Sequence, residues 1–333
     1  MSTDRDSLVE RLLRRFLGDT REDSAIKQRH SELKRARLVR RLSQSALLAG
    51  IVVLLYLSLQ AAGFWRTEWV EYWPQFTEAL AQYFPPKLYF DMIPFVDLGR
   101  YYQFMREAGL IGEAGITLAI ALAGTIMGAP LALLFGILGN ERVTPFPLNF
   151  LFRGVMSIIR SIPALVWALI YVPLGGITPV TATLALGTDT IGELGRLLTD
   201  ELEEVDDGPT EGIRSTGASK PQVIVFGMLP QMVRPFIAWA MFVLENNVRS
   251  AVSLGIIGAG GLGVTLTIEQ QTFNFTNMMA TILFIVLLVI SVEMISQRTR
   301  SYLREGDDVE KMSVYQLIVG FPGRMSDSLL GSR

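Results

Sequence analysis

The chain has 333 residues, half of them hydrophobic, and a formal net charge of -2. It holds no cysteine and a single histidine, His30, which excludes a disulfide framework, thiolate chemistry and a metal site built from His and Cys. The apolar residues are gathered into long runs, and that arrangement, more than the total, points to a membrane protein.

In chain order, residues 1–41 form a basic N-terminal segment. From Leu8 to Leu17, Leu8, Leu12, Leu13 and Phe16 share one helical face and arginines the other, the pattern of an amphipathic helix on the inner leaflet. No cleavable signal peptide is expected, because the first apolar run starts near residue 42. A bilayer crossing needs roughly 20 mainly apolar residues. Six stretches meet that need: Leu42 to Ala62, Ile111 to Leu138, Phe150 to Leu174, Ile177 to Leu197, Met232 to Ile257 and Asn277 to Gln297. The fourth and fifth carry ionisable residues. Arg160, early in the third, is expected to snorkel to the inner interface.

Lys34, Arg35, Arg37, Arg40 and Arg41 precede the first span, and Arg298, Arg300 and Arg304 follow the last. The excess of positive charge predicts both termini in the cytoplasm. Residues 42–109 then comprise the first span and an outer loop, where Trp65, Trp69 and Trp73 recur every four residues. That spacing predicts one helical stripe, suited to a membrane-interface belt or to a docking partner. Residues 110–300 form the core, and 301–333 a cytoplasmic tail with the apolar cluster Val314, Leu317, Ile318 and Phe321.

A hydrophilic loop at about 198–231 joins the fourth and fifth spans. It opens with Asp200, Glu201, Glu203, Glu204, Asp206 and Asp207, and continues as EGIRSTGASKPQVIVFGMLPQ over residues 211 to 231. The pattern predicts two short helices joined at Gly217, with Pro221 in the first turn of the second and Pro230 ending it. Glu211, Gly212, Ile213, Gly217, Leu229 and Pro230 stand at the spacing of the coupling motif of binding-protein-dependent ABC importer permeases. The chain departs from that motif at Gly212 and Ile213, where Ala is usual, and at Gly227, where Ile is usual.

The segments NVRSAVSLGIIGAGGLG, residues 247 to 263, and RSIPALVWALIYV, residues 160 to 172, resemble the phosphonate permeases of that family, with phosphate and phosphite permeases as near relatives. The resemblance covers roughly residues 110 to 300. It implies an all-α, polytopic type I importer permease (MetI-like) fold with about six transmembrane helices in the cell inner membrane. It also implies a second permease subunit, as a homodimer partner, two ATPase subunits docked on the loop, and a periplasmic solute-binding protein. ATP and Mg would be bound by the ATPase, with no cofactor, catalytic residue, metal or nucleic acid expected on this chain.

Gly258, Gly260, Gly261 and Gly263 complete a Gly-x-Gly-x-x-Gly pattern. A dinucleotide site would need a preceding strand and an acid about 20 residues on, so a break in a membrane helix is the better reading. Glu245, Asn246, Asn247, Arg249 and Ser250 lie in the fifth span. Glu245 and Arg249 are four apart and share a face, either as an internal ion pair or as a wall of the solute pathway. Asp189 and Glu193 repeat that spacing in the fourth span without a cation. A different solute, an ion-coupled secondary transporter or a membrane-embedded enzyme are the alternatives. The second would show inverted halves, and the third a catalytic cluster at membrane depth.

Overall fold

The computed structural model describes residue 37 and residues 40–66, 69–89 and 93–303. The amphipathic segment from Leu8 to Leu17, Lys34, Arg35, Arg304 and the apolar cluster at 314–321 lie outside these residues. The chain divides into two units, Met1–Thr77 and Glu78–Arg333.

In the first unit α1 (Arg40–Ala61) is long and apolar enough to cross a bilayer. Leu47, Leu54 and Leu55 are exposed along it, as suits a helix solvated by lipid. A 3-10 turn at Phe64–Arg66 precedes α2 (Trp69–Tyr83). Trp65 thus falls in a tighter turn and Trp73 in an α-helix, so the three tryptophans do not share one helical stripe.

The second unit holds a short antiparallel hairpin that the sequence reading did not foresee. Its strands are β1 (Pro86–Tyr89) and β2 (Ile93–Val96), with Pro86 opposite Val96. Asp97 closes it twice over. Its carboxylate meets Lys87 Nζ at 3.4 Å and accepts the Arg100 amide at 3.2 Å, capping α3 (Leu98–Glu107).

The helices that follow are α4 (Leu110–Gly139), α5 (Leu148–Ser161), α6 (Ala164–Tyr171), α7 (Pro179–Glu203), α8 (Asp207–Ser215), α9 (Lys220–Val223), α10 (Leu229–Leu254), α11 (Leu262–Gln271) and α12 (Phe275–Leu303). α4, the continuous run Lys220–Ala259 and α12 pass the length and apolarity test for a span. The expected third span is bent by 90° between α5 and α6. Pro163 explains the break: it cannot donate to the helix ladder, and the residue before it, Ile162, is extended (φ -99, ψ 117).

α7 is too rich in charge to pass the same test, yet it is the centre of the unit. Thr178 caps it and Pro179 opens it, and the helix runs to Glu203, six residues beyond the expected end at Leu197. It lies parallel to α4. Gly124 abuts Leu186, Gly128 abuts Gly187 and Thr190, and Gly136 abuts Gly195 and Leu198, so the two numberings rise together. A Cβ on Gly128 would come within 2.5 Å of the Gly187 carbonyl oxygen and 2.6 Å of Thr190 Cβ. Lipid supplies no hydrophobic drive between helices, so close backbone packing of this kind carries their association.

The end of α10 is folded tightly on itself. Gly258, Gly260 and Gly261 have φ of 106°, 99° and 74°, and the chain turns there into α11. Thr117 of α4 holds the turn by accepting the Leu262 amide at 3.0 Å. A helix, not a strand, leads into the glycines, so the dinucleotide pattern lacks its context.

Candidate functional site

Two groups of residues stand apart from lipid-facing apolar surface: the loop between α7 and α10, and a polar interior where α4, α5, α7, α10 and α12 meet.

The loop is built as the motif spacing predicts up to Gly217, and differs after it. Asp206 accepts the Gly208 amide at 3.0 Å and caps α8. α8 carries Glu211, Gly212 and Ile213, and ends at Thr216. Gly217 then takes φ +83°, a conformation that L side chains rarely adopt. Ser219 opens α9, where Gln222 Oε1 accepts from the Ser219 amide at 2.8 Å and Oγ at 2.9 Å. Pro221 sits in the first turn, as expected.

Pro230, however, does not end a helix. A π-helical stretch at Ile224–Met228 carries the chain straight into α10, so Leu229 and Pro230 form the start of that long helix. One residue too many in the turn lets the proline ring pass without breaking the run. The loop proper is correspondingly shorter than 198–231, because helical structure occupies both of its ends.

The departures from the motif explain one another. A Cβ on Gly227 would lie 3.4 Å from Ile213 Cδ1 and 3.3 Å from Thr210 Cα. The large side chain at 213 thus occupies room that a large side chain at 227 would need, and the two helices stay packed. Glu211, Gly212 and Gly217 remain exposed, as do Val225 and Phe226. The loop is anchored from behind. Arg142, between α4 and α5, donates to the Val205 carbonyl at 3.1 Å and to Asp207 Oδ1 at 3.0 Å, and Arg153 of α5 pairs with Glu203.

In the interior, Asn247 is buried and donates to Thr125 Oγ1 at 2.8 Å and Thr190 Oγ1 at 2.9 Å, joining α10 to α4 and α7. Glu245 is also buried. It meets Arg249 at 2.5 Å, the pair the spacing anticipates, and Arg300 of α12 at 3.5 Å. Arg249 in turn lies 3.8 Å from Glu293 of α12, and its side chain is 47% exposed. The second arginine was not legible from spacing, since it comes from another helix. Ser250 is half-buried beside this network, while Gly258 is exposed at the far end of α10.

Asp189, Glu193 and Asn246 line a cavity of about 390 Å³ with Leu197, Phe242 and Arg160. Arg160 lines this cavity and is itself exposed. It stands next to the bend that ends α5. Asn246 Nδ2 donates to both Glu193 oxygens at 3.3 Å.

A profile of the family described as "binding-protein-dependent transport system inner membrane component" matches residues 128–303. A phosphate-import permease of Mycolicibacterium smegmatis is 34% identical over 195 residues, 58% of this chain and 37% of that protein. A putative phosphite transport system permease of Stutzerimonas stutzeri is 31% identical over 192 residues, 57% of this chain and 68% of its own length. A putative cryptic phosphonate transport system permease of Escherichia coli is 41% identical over 119 residues, 36% of this chain and 98% of its own. The chain therefore spans just over a third of the first relative and about two thirds of the second. Among solved structures, an inward-facing methionine ABC transporter matches with a TM-score of 0.51 at 23% identity, over 58% of this chain and 95% of that one, a likeness of fold.

Proposed function

The chain belongs to the family of binding-protein-dependent transport system inner membrane components, and from that premise we propose that it is the permease subunit of an ATP-driven importer of phosphorus oxyanions. The observation that carries this reading is the exposed α8–α9 pair, closed at Gly217 and anchored from behind by Arg142 and Arg153. Such a pair offers a firm surface to a separate ATPase subunit. ATP and Mg belong to that subunit, and a periplasmic binding protein delivers the solute. The chain acts in the inner membrane with a second permease subunit, identical or paralogous, and with both termini in the cytoplasm.

Phosphonate, phosphite or phosphate is favoured as solute by the relatives at 31–41% identity. The methionine transporter, at 23%, supports the architecture only. Arg249, held by Glu245 and still half exposed, is assigned to the wall of the pathway. With Asn246, Ser250 and the glycine turn at 258–261 it completes the proposed lining, while buried Asn247 ties α10 to α4 and α7 behind it.

The test is Gly217→Val. A β-branched residue at φ +83° costs about 1–3 kcal/mol and displaces α8 from α9. The variant should reach the membrane in normal amount yet lose most co-purifying ATPase and ATP-dependent uptake. Normal co-purification together with normal uptake would remove the coupling role.

A further inference from the structure

The charges shared by α10 and α12 are unequal in how firmly they are held. Glu245 is buried, and its two oxygens are divided between two cations: Oε1 meets Arg249 at 2.5 Å and Oε2 meets Arg300 at 3.5 Å. Separating a buried carboxylate from its cations is strongly destabilising, so Glu245 stays where it is. Glu293 is partly exposed, and its oxygens are divided differently. Oε1 accepts from Gln297 at 3.0 Å, one turn on, while Oε2 stands 3.8 Å from Arg249. A long, partly exposed pair of this kind contributes little. The backbone beneath it is fixed, because buried Ser296 donates to the Met241 carbonyl at 3.2 Å and ties α12 to α10. Only the Glu293 side chain is loosely committed.

The difference matters at Arg249. Both carboxylates approach the same nitrogen, Nη2, so neither engages Nη1 or Nε. A guanidinium carries five donors in a flat fork that matches two oxygens of a phosphorus oxyanion at once. Nearly half of the Arg249 side chain is exposed, which leaves room for that contact. An oxyanion arriving there competes with Glu293 and not with Glu245, because only the first pair is weak. We infer that Glu293 is a built-in competitor for Arg249: a phosphorus oxyanion displaces it, and its return helps the anion leave. Passage requires a site favourable enough to enter and weak enough to leave, and Glu293 supplies the weakness. The inference rests on the placement of Arg249 in the pathway wall and adds the residue that limits its grip.

The experiment titrates the full permease–ATPase complex in detergent, without binding protein, with inorganic phosphate by calorimetry. Glu293→Gln removes the charge and keeps the shape. It should bind phosphate about fivefold tighter than wild type, the upper worth of an exposed ion pair. The gain should vanish when Arg249→Gln is added. A merely structural role for Glu293 gives equal or weaker binding instead. Equal or weaker binding by Glu293→Gln, binding by neither protein, or a gain that survives Arg249→Gln overturns the competitor. If Glu293→Gln does not reach the membrane, Gln297→Ala decides. It frees the Glu293 carboxylate to close on Arg249, so phosphate should bind about twofold weaker, and equal or tighter binding overturns the role. Uptake of phosphate and methylphosphonate by wild-type complex with its binding protein is measured alongside. Its absence overturns the importer reading and leaves the titration to decide Glu293, whereas an unchanged titration with uptake intact overturns only the role of Glu293.

Discussion

α12 and α7 invert the rule that apolar means inside. α12 is long and apolar, and Val286, Leu287, Ile290 and Ile295 lie exposed on its surface. α7 carries Asp189, Glu193, Arg196, Asp200, Glu201 and Glu203, yet Ala182, Ala185, Leu186, Thr190, Leu194, Leu198 and Thr199 are all buried along it. In water the first helix would be core and the second surface. In lipid the solvent is itself apolar, so apolar side chains gain little by leaving it. What sorts the interior is how closely backbones approach and whether polar groups find partners.

The comparison breaks first where backbones touch. Gly128→Leu should be the most damaging change, at about 3 kcal/mol, because the new side chain must displace the Gly187 carbonyl and Thr190. Gly50→Leu on α1, where nothing lies within 4 Å of a Cβ, should leave stability unchanged. The folded fraction surviving graded heating in detergent measures both. Equal loss would mean that the α4–α7 contact is not the fold's support.

Polar satisfaction comes next. Asn247→Leu keeps the branched shape but removes two interhelical hydrogen bonds, for an expected loss of about 1–2 kcal/mol by the same assay. A gain in stability would show that the buried amide serves something other than packing. The smallest effect is expected on the lipid side. Leu287→Ala exchanges contact with lipid for contact with lipid and should stay within about 0.5 kcal/mol. A loss as large as that of Asn247→Leu would place Leu287 against another subunit instead.

The long apolar runs, the turn at Gly217, the break at the glycines and the Glu245–Arg249 pair were legible because each is written in local spacing. Those signals depend on residues within a turn or two of one another. The second cation on Glu245 and the Asn247 bonds were not legible, since each joins helices far apart in the chain. The bend at Pro163 was present in the sequence as a proline inside an apolar run. Length and hydropathy outweighed it, although the residue before a proline is disfavoured in a helix. The hairpin at 86–96 was hidden by its brevity, with four residues in each strand.

The π-helical stretch at Ile224–Met228 ties the loop to α10 without a flexible joint. Along a continuous helix each residue advances the azimuth by about 100°, and the rise by about 1.5 Å. The number of residues between Gly217 and Pro230 therefore fixes an angle: the direction in which α8 and α9 point when viewed down α10. A side chain in that interval can exchange bulk with one on α8, as Gly227 does with Ile213. An inserted or deleted residue would instead turn the whole exposed face away from where it points. The interval behaves like the key of a shaft, tolerant of material and intolerant of phase.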